Sequence, residues 1–260
     1  MLKYSKKTRQ ILALDNHLLI SPKHHGHLQI ILSPAENIQF MCAKNTGTRF
    51  LQLTIPLFSI LFATSLLFTK TESFVALNTI HSEVLNRIFI NITFMGDGLF
   101  PILVTVIALV LKKYDLGIKV FISFLASGLT AQLLKSIFHA PRPMALLTSI
   151  HYHYPYFING ITHSGLNSFP SGHTTTVFAL AATLAFNTTC KYRCIIYFTL
   201  ATLTLYSRIY LGQHFLEDTA AGLFIGTAIA FLGEALYKRF NFKVPARKSF
   251  PHHELLSIDI

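Results

Sequence analysis

Residues 194–237 read CIIYFTLATLTLYSRIYLGQHFLEDTAAGLFIGTAIAFLGEALY, two apolar runs on either side of a short polar segment. Each run is close to the roughly 20 residues that an α-helix needs to cross a bilayer. Arg208, His214 and Asp218 lie at this junction, from the end of the first run to the start of the second. Ionisable residues beside a membrane are costly unless they have a function. The stretch therefore predicts two membrane helices joined by a functional connection.

The composition of the whole chain is typical of a membrane protein. Of its 260 residues, 52% are hydrophobic and 13% are charged, and the mean hydropathy is +0.48. Four further segments approach the spanning length, so the predicted spans are residues 50–69, 94–111, 117–138, 172–190, 194–211 and 217–237. We expect an all-α, polytopic bundle of about six transmembrane helices. The second span is the weakest, because Asp97 lies near its start.

The distribution of basic residues predicts the orientation of this bundle. Six spans place both termini on one side, and that side holds 17 of the 22 Lys and Arg residues. By the positive-inside rule both termini are cytoplasmic. The chain then divides into a cytoplasmic arm at residues 1–49, which is interfacial or disordered, a membrane domain at 50–240 and a cytoplasmic tail at 241–260.

The net charge of +11 is explained by this topology, because the basic residues are scattered between apolar runs. Membrane lipids with anionic headgroups are the partners it implies, and no nucleic acid is expected. The three cysteines, Cys42, Cys190 and Cys194, are too few for a disulfide framework and are interpreted as packing residues. The oligomeric state is unknown at this level.

Three polar blocks are all predicted on the outer side. The first is KSIFHAPRP at residues 135–143, at the end of the third span. Its prolines end the helix and hold Arg142 extended, so Lys135 and Arg142 present two cations near one point. Long basic side chains near a membrane also snorkel to the interface without any function.

The second block is PSGH at residues 170–173, directly before the fourth span. Ser171 is a natural N-cap, and Gly172 lets a ligand approach the backbone. Free amides at a helix N-terminus bind anions, and His173 lies beside them. The second block therefore predicts an anion site.

The third block is SR-x5-H-x3-D at residues 207–218. If residues 214–218 are helical, their spacing places His214 and Asp218 on one face, where the carboxylate accepts one ring N–H and leaves the other nitrogen as a nucleophile. A proton or ion pathway is the alternative for such residues in a membrane. The common outer location of all three blocks favours a single site.

Together these blocks resemble the type-2 phosphatidic acid phosphatases, or lipid phosphate phosphatases, whose signature is K-x6-RP, PSGH and SR-x5-H-x3-D. Every specified position is present, and the resemblance covers roughly residues 90–237. It implies a metal-independent hydrolase without a cofactor. His214 would attack phosphorus, Asp218 would orient it and His173 would protonate the leaving oxygen. The groups that hold the phosphoryl oxygens would be Lys135, Arg142, Ser171, Gly172 and Arg208.

The implied substrate is a lipid phosphomonoester or diphosphate in the outer leaflet, with the active site on the periplasmic face of the cell inner membrane. Phosphatidic acid, phosphatidylglycerol phosphate, undecaprenyl diphosphate and a lipid A phosphate all fit, because the motifs recognise only the phosphoryl group. A lipid phosphotransferase would use the same site. A vanadate-dependent haloperoxidase has a similar site but does not need six apolar spans. A transporter or membrane scaffold would not need all three blocks.

The connection at residues 139–169 is long and rich in His and Tyr. We expect an aromatic lid at headgroup level, with a histidine metal site as the weaker alternative. His139 is expected to act only electrostatically near the site. Asp97 is expected to cap its helix rather than to line the site.

Overall fold

The computed structural model describes residues 19–22, 28–31, 46–162 and 165–240. This part of the chain contains a two-stranded antiparallel hairpin, nine α-helices and a short 3-10 helix. The strands are β1 (Leu19–Pro22) and β2 (Leu28–Ile31). The helices are α1 (Thr46–Leu67), α2 (Lys70–Ala76), α3 (Glu83–Ile92), the 3-10 helix (Thr93–Gly96), α4 (Leu99–Val110), α5 (Tyr114–Phe138), α6 (Pro143–Ser149), α7 (Gly172–Phe186), α8 (Lys191–Tyr210) and α9 (Leu216–Arg239).

The hairpin falls inside the arm that was expected to be interfacial or disordered, outside the helical bundle. The other residues of the arm before position 46 lie outside the described part of the chain, as does the predicted tail at 241–260. The fold of the described membrane domain is helical throughout. All eight predicted site residues lie in this helical part of the chain, on the helices or on the connections between them.

Each predicted span coincides with a helix, but the helices differ in how well they could cross a bilayer. Within the described residues, three stretches are long and apolar enough: Thr46–Leu67, Tyr114–Ser149 and Leu216–Arg239. A fourth results if Glu83–Gly96 and Leu99–Val110, which meet at 57°, form one span. The helix α7 is only 15 residues long, and α8 carries basic residues at both ends. Three to four spans are supported by length and composition.

The outer surface of the bundle is apolar, as expected for a protein in lipid. Large side chains such as Leu66 and Leu129 are each 71% exposed, and Leu99 is 74% exposed. Water-soluble proteins rarely expose so many large apolar side chains in continuous patches. Together with the apolar helices, this surface identifies an integral membrane protein.

The second predicted span is bent at its polar start. The chain leaves the 3-10 helix through Asp97, whose backbone is extended, and α4 then begins at Leu99. The residue at the N-cap is Gly98, which forms no side-chain cap. The expected cap by the Asp97 side chain is not formed: its backbone carbonyl oxygen accepts the Phe100 N–H at 3.1 Å, and among the described residues no hydrogen bond joins its carboxylate to the first amides of α4.

The helix α7 is the centre of the bundle and is buried along most of its length. Helix α9 packs closely against it through Gly222 and Gly226. A Cβ at Gly222 would lie 2.8 Å from the carbonyl oxygen of Ser171, and one at Gly226 would lie 2.2 Å from that of Thr175. Small residues four apart allow this approach of two membrane helices. The contact fixes the start of α7 against the start of α9.

Candidate active site

The three sequence blocks meet at one end of the bundle, where α5 ends and α7 and α9 begin. A cavity of about 340 Å³, here called the polar cavity, opens between them. Five of the eight site residues predicted from the sequence line this cavity. The other lining residues are neutral, and most of them are apolar. The lining residues are Ile90, Thr93, Phe94, Lys135, Arg142, Gly160, Ile161, His173, Arg208, Leu211, Gln213 and His214.

A tight turn after α8 places Arg208 and His214 on the same cavity. The carbonyl oxygen of Arg208 accepts the backbone N–H groups of Gln213 at 3.0 Å and of His214 at 3.2 Å. The turn passes through Gly212, whose φ of +63° is unfavourable for other residues. The spacing of the SR-x5-H motif is therefore the length of this closed turn.

His214 and Asp218 are in contact, although for a different reason from the predicted one. Helix α9 begins at Leu216, so His214 lies before it and does not share a helical face with Asp218. Instead, the Asp218 carboxylate caps the helix by accepting the Phe215 backbone N–H at 2.9 Å. This places its Oδ2 3.5 Å from His214 Nδ1. The H-x3-D spacing thus reflects a helix cap.

The other ring nitrogen of His214, Nε2, is the one left for the polar cavity, because Nδ1 faces Asp218. The imidazole is buried in the connection between α8 and α9. Burial, and then the positive charges of Arg208, Arg142 and Lys135, hold the pKa of His214 well below its usual range. The ring is therefore neutral at pH 7 and retains a lone pair on Nε2, as a nucleophile requires.

Arg142 is extended, as predicted from its flanking prolines, and it precedes α6. Its backbone N–H donates to the carbonyl oxygen of Gly165 at 2.8 Å, and its guanidinium donates to the side-chain oxygen of Gln213. Gln213 in turn donates to the backbone oxygen of Ile161. The neutral side-chain amide of Gln213 therefore links Arg142 to Ile161 in the long connection through two hydrogen bonds.

Arg208 and Lys135 provide the other two cations. Arg208 is only 7% exposed, its Nη1 donates to the Thr93 hydroxyl at 2.6 Å, and its buried Nε has no partner among the described residues. The Lys135 Nζ would lie 3.7 Å from a Cβ at Gly172. Within the described part of the chain, no ion pair joins Lys135, Arg142 or Arg208 to a carboxylate. The cavity is therefore built for an anion.

Ser171 is the N-cap of α7, as predicted. Its Oγ accepts the backbone N–H of Thr174 at 3.4 Å and the Thr174 hydroxyl at 3.0 Å, and its own N–H donates to the carbonyl oxygen of Asp218 at 2.9 Å. His173 lines the cavity, whereas Ser171 and Gly172 do not. A Cβ at Gly96 would lie 2.8 Å from that of His173, so the 3-10 helix supports this ring closely.

Three polar residues of the site were missed by the sequence reasoning: Ser168, Thr93 and Gln213. The buried Ser168 hydroxyl donates to Asp218 Oδ2 at 2.5 Å and lies 3.3 Å from His214 Nδ1. Gln213 is adjacent to His214, so its position was a usable signal. The other two lie on segments without a recognisable motif.

The long connection at residues 139–169 contains α6 and is not a plain loop. His139 ends α5 in the left-handed conformation, with φ of +43°. The ring of Tyr154 is buried against Phe74 and Phe157, at centroid distances of 5.3 and 4.8 Å, and its hydroxyl donates to the Asn78 backbone oxygen. These aromatic side chains anchor the connection to the bundle.

The weaker alternative for this connection, a metal site formed by His151, His153 and His163, falls partly on His163, outside the described residues. Among the residues that the structure describes, no three His, Cys, Asp or Glu side chains are grouped so as to hold a metal ion. The groups that converge on the polar cavity are cations, imidazoles and neutral hydrogen-bonding side chains. These groups suit an anion better than a divalent cation.

Comparison with known proteins matches this arrangement to one family. The family described as the PAP2 superfamily matches residues 116–242. An undecaprenyl-diphosphatase of Sulfolobus acidocaldarius is 29% identical over 164 residues, which is 63% of this chain and 76% of that protein.

Two solved structures share the fold. The crystal structure of Aquifex aeolicus LpxE superposes with a TM-score of 0.56 at 24% identity, covering 63% of this chain and 93% of that one. A transmembrane PAP2 type phosphatidylglycerolphosphate phosphatase from Bacillus subtilis superposes with a TM-score of 0.55 at 21% identity, covering 76% of this chain and 99% of that one.

Proposed function

We propose that this chain, which belongs to the PAP2 superfamily, is a membrane phosphatase that removes phosphate from a lipid at the polar cavity. One observation carries the proposal. Three cations without carboxylate partners surround a buried, neutral histidine whose Nδ1 faces a carboxylate, in the described part of the chain. Such a cavity attracts a phosphoryl group and presents Nε2 to its phosphorus.

The reaction begins when His214 Nε2 attacks phosphorus in line. The N–P bond forms as the bond from phosphorus to the lipid oxygen breaks, and His173, which is protonated once the phosphate anion is bound among the cations, gives its proton to that oxygen and becomes neutral. Water, deprotonated by His173, then attacks the phosphohistidine and releases inorganic phosphate and neutral His214. Asp218 orients the imidazole and stabilises the positive charge that it acquires in the first step.

The phosphoryl oxygens are held by the guanidinium groups of Arg142 and Arg208 and by the ammonium group of Lys135. Among the described residues, the buried Nε of Arg208 has no hydrogen-bond partner. The amide of Gly172, at the free N-terminus of α7, and the Ser171 hydroxyl add neutral donors from behind. Fixed cations neutralise the developing charge, a task performed by metal ions in many phosphoryl-transfer enzymes, and we propose metal-independent catalysis on this basis.

The lipid class with the most support is an isoprenoid diphosphate, since the curated relative is an undecaprenyl-diphosphatase. The apolar wall of the cavity, which includes Ile90, Phe94 and Leu211, suits the first carbons of any lipid tail. The other candidate substrates that we propose are phosphatidic acid, phosphatidylglycerol phosphate and a lipid A phosphate.

The proposed topology has six spans, cytoplasmic termini and a domain at residues 50–240, between an arm at 1–49 and a tail at 241–260. It places the polar cavity on the outer, periplasmic face of the inner membrane. The side chain of Tyr152 is exposed near this face. In a background without native cysteines, Tyr152→Cys should react with an impermeant thiol reagent added outside intact cells, and labelling only after lysis would reverse the orientation.

The activity is tested with purified protein in detergent and the four lipids named above. Wild-type protein should release inorganic phosphate from at least one of them, and His214→Ala should reduce the rate by about 10⁴-fold or more, as loss of a nucleophile does elsewhere. The matched control is His151→Ala, since His151 is exposed and does not line the cavity. Equal phosphate release from wild type and His214→Ala would disprove the proposed function.

A further inference from the structure

The Asp218 carboxylate and the His214 ring are bridged by a third side chain. Their closest atoms, Oδ2 and Nδ1, are 3.5 Å apart, which is longer than a normal hydrogen bond. The Ser168 Oγ lies 2.5 Å from this Oδ2 and 3.3 Å from Nδ1. The shortest hydrogen-bonded route between carboxylate and imidazole therefore passes through the Ser168 hydroxyl.

The donors and acceptors in this route can be oriented in one way. An ionised carboxylate only accepts, so the Ser168 O–H points to Asp218, and a lone pair on Oγ is left for the Nδ1–H of His214. With Nδ1 as the donor, the neutral ring carries its lone pair on Nε2, which is the tautomer that the proposed attack needs. The hydroxyl, together with the Ser168 backbone, which also hydrogen-bonds to this ring, thus favours the reactive form.

The position of Ser168 is fixed by its surroundings. The residue is fully buried, and its backbone N–H donates to the carbonyl oxygen of Ala140 at 2.9 Å. Ala140 belongs to the same segment as Arg142, which is itself tied to Gly165 by a backbone hydrogen bond of 2.8 Å. Ser168 therefore connects the first sequence block to the third, and its hydroxyl has little freedom to turn away.

We propose that Ser168 is a positioning residue that passes the orienting effect of Asp218 to His214. This inference rests on the proposed function. As the bond from Nε2 to phosphorus forms and the bond to the lipid oxygen breaks, the ring becomes positive while Nδ1 keeps its proton. The Ser168 hydroxyl and the Asp218 carboxylate stabilise that charge together, and Ser168 does not touch the phosphoryl group.

A double-mutant cycle tests this role. Ser168→Ala should lower kcat by about 10- to 100-fold with KM nearly unchanged, in line with the loss of a group that orients an active-site residue. Asp218→Ala should cost more. The double variant should match Asp218→Ala within about threefold, because without the carboxylate the hydroxyl has nothing to transmit. Wild-type kcat in Ser168→Ala, or losses that multiply in the double variant, would overturn the proposal.

Packing effects are separated by two further variants. Ser127 is also fully buried, but its hydroxyl donates only to the Phe124 backbone oxygen, so Ser127→Ala should keep at least half of the wild-type kcat. Ser168→Cys keeps the side-chain volume with a weaker donor. It replaces Ser168→Ala in the cycle if the alanine variant does not elute as a monodisperse species, and the same non-additivity is expected.

The outcomes for His214 and Ser168 are distinguishable. If His214→Ala retains activity, the proposed function fails and this inference fails with it. If His214→Ala is inactive while Ser168→Ala is as active as Ser127→Ala, the lipid phosphatase proposal stands and the role of Ser168 is disproved.

Discussion

The two ends of the helix bundle both contain partly buried charges, but they treat them in opposite ways. At the end where α5 begins and α9 finishes, Lys119 forms an ion pair of 2.9 Å with Glu234, donates to Asn187 at 2.8 Å and lies over the Tyr237 ring at 4.2 Å. The Lys119 and Glu234 side chains are only 13% and 11% exposed. The charge of this lysine is therefore compensated by a carboxylate of the protein itself.

At the end with the polar cavity, Lys70 pairs with Glu217 outside the cavity, but the two arginines that line the cavity have neutral partners instead. Arg208 bonds to Thr93 and Arg142 to Gln213, and in the described residues neither forms an ion pair. A buried cation without a counter-ion reduces stability, and such sites persist where function requires them. The ion pair of Lys119 therefore stabilises the structure at one end, whereas the arginines at the other end are free to bind an anion that enters the cavity.

The largest effect on this comparison is expected from removing the most buried cation. Arg208→Gln should lower kcat/KM by about 10²- to 10³-fold, the usual cost of losing a group that stabilises transition-state charge. Because the uncompensated charge is removed as well, the melting temperature in detergent should not fall. Rates of phosphate release and thermal melting check both parts. A variant that loses stability and activity together would show that Arg208 is structural.

Arg142→Gln should change the pH dependence as well as the rate. Positive charge disfavours the imidazolium form, and Arg142 is one of the cations that lower the pKa of His214. The acidic limb of the kcat/KM profile should lie below the usual histidine value of 6.5 in the wild type and move to higher pH in the variant. Both profiles are recorded with the same lipid, so the ionisation of its phosphate affects them equally. An unmoved limb, or one shifted to lower pH, would contradict this electrostatic coupling.

Gln213→Leu tests the neutral partner of Arg142. It removes the acceptor of Arg142 and the donor to Ile161, so the guanidinium loses its fixed position and kcat/KM should fall about tenfold. Asn187→Leu is the matched change at the opposite end, where the amide accepts from Lys119. It should leave phosphate release within twofold of wild type. Equal losses in the two variants would erase the distinction between the ends.

The smallest effect on activity is expected for Lys119→Gln. Breaking a partly buried ion pair should reduce the free energy of unfolding by about 1–2 kcal/mol, between the values for exposed and fully buried pairs. Phosphate release per folded molecule should stay within twofold of wild type. A thermal melt and an assay on the same preparation measure both, and a tenfold loss of turnover would mean that the two ends are coupled.

Much of the site could be predicted because its residues lie in short sequence motifs with a local structural effect. The prolines that flank Arg142 impose an extended backbone, and Ser171 caps α7 through its own side chain. The family was correctly predicted from the three motifs alone. Contacts between residues that are distant in sequence could not be found in this way: Thr93 reaches Arg208 across 115 positions.

The limits of the fold prediction have a similar physical origin. The length of the apolar runs located all the long helices, but the 57° bend of the second predicted span depends on a single extended residue, Asp97. The contact between His214 and Asp218 was predicted from helical spacing and is made by a helix cap instead. A spacing of four residues is compatible with both, so the correct contact followed from the wrong local structure.

The proposed phosphohistidine at His214 is tested by trapping the phosphorylated enzyme. Wild-type protein quenched during turnover of a lipid labelled with ³²P at its terminal phosphate should carry label that is lost in acid and kept in base, as a phosphohistidine requires. Peptide mapping should place it on His214, and His214→Ala should carry none. Base-labile label on a carboxylate or hydroxyl, or equal labelling of the two proteins, would contradict the account.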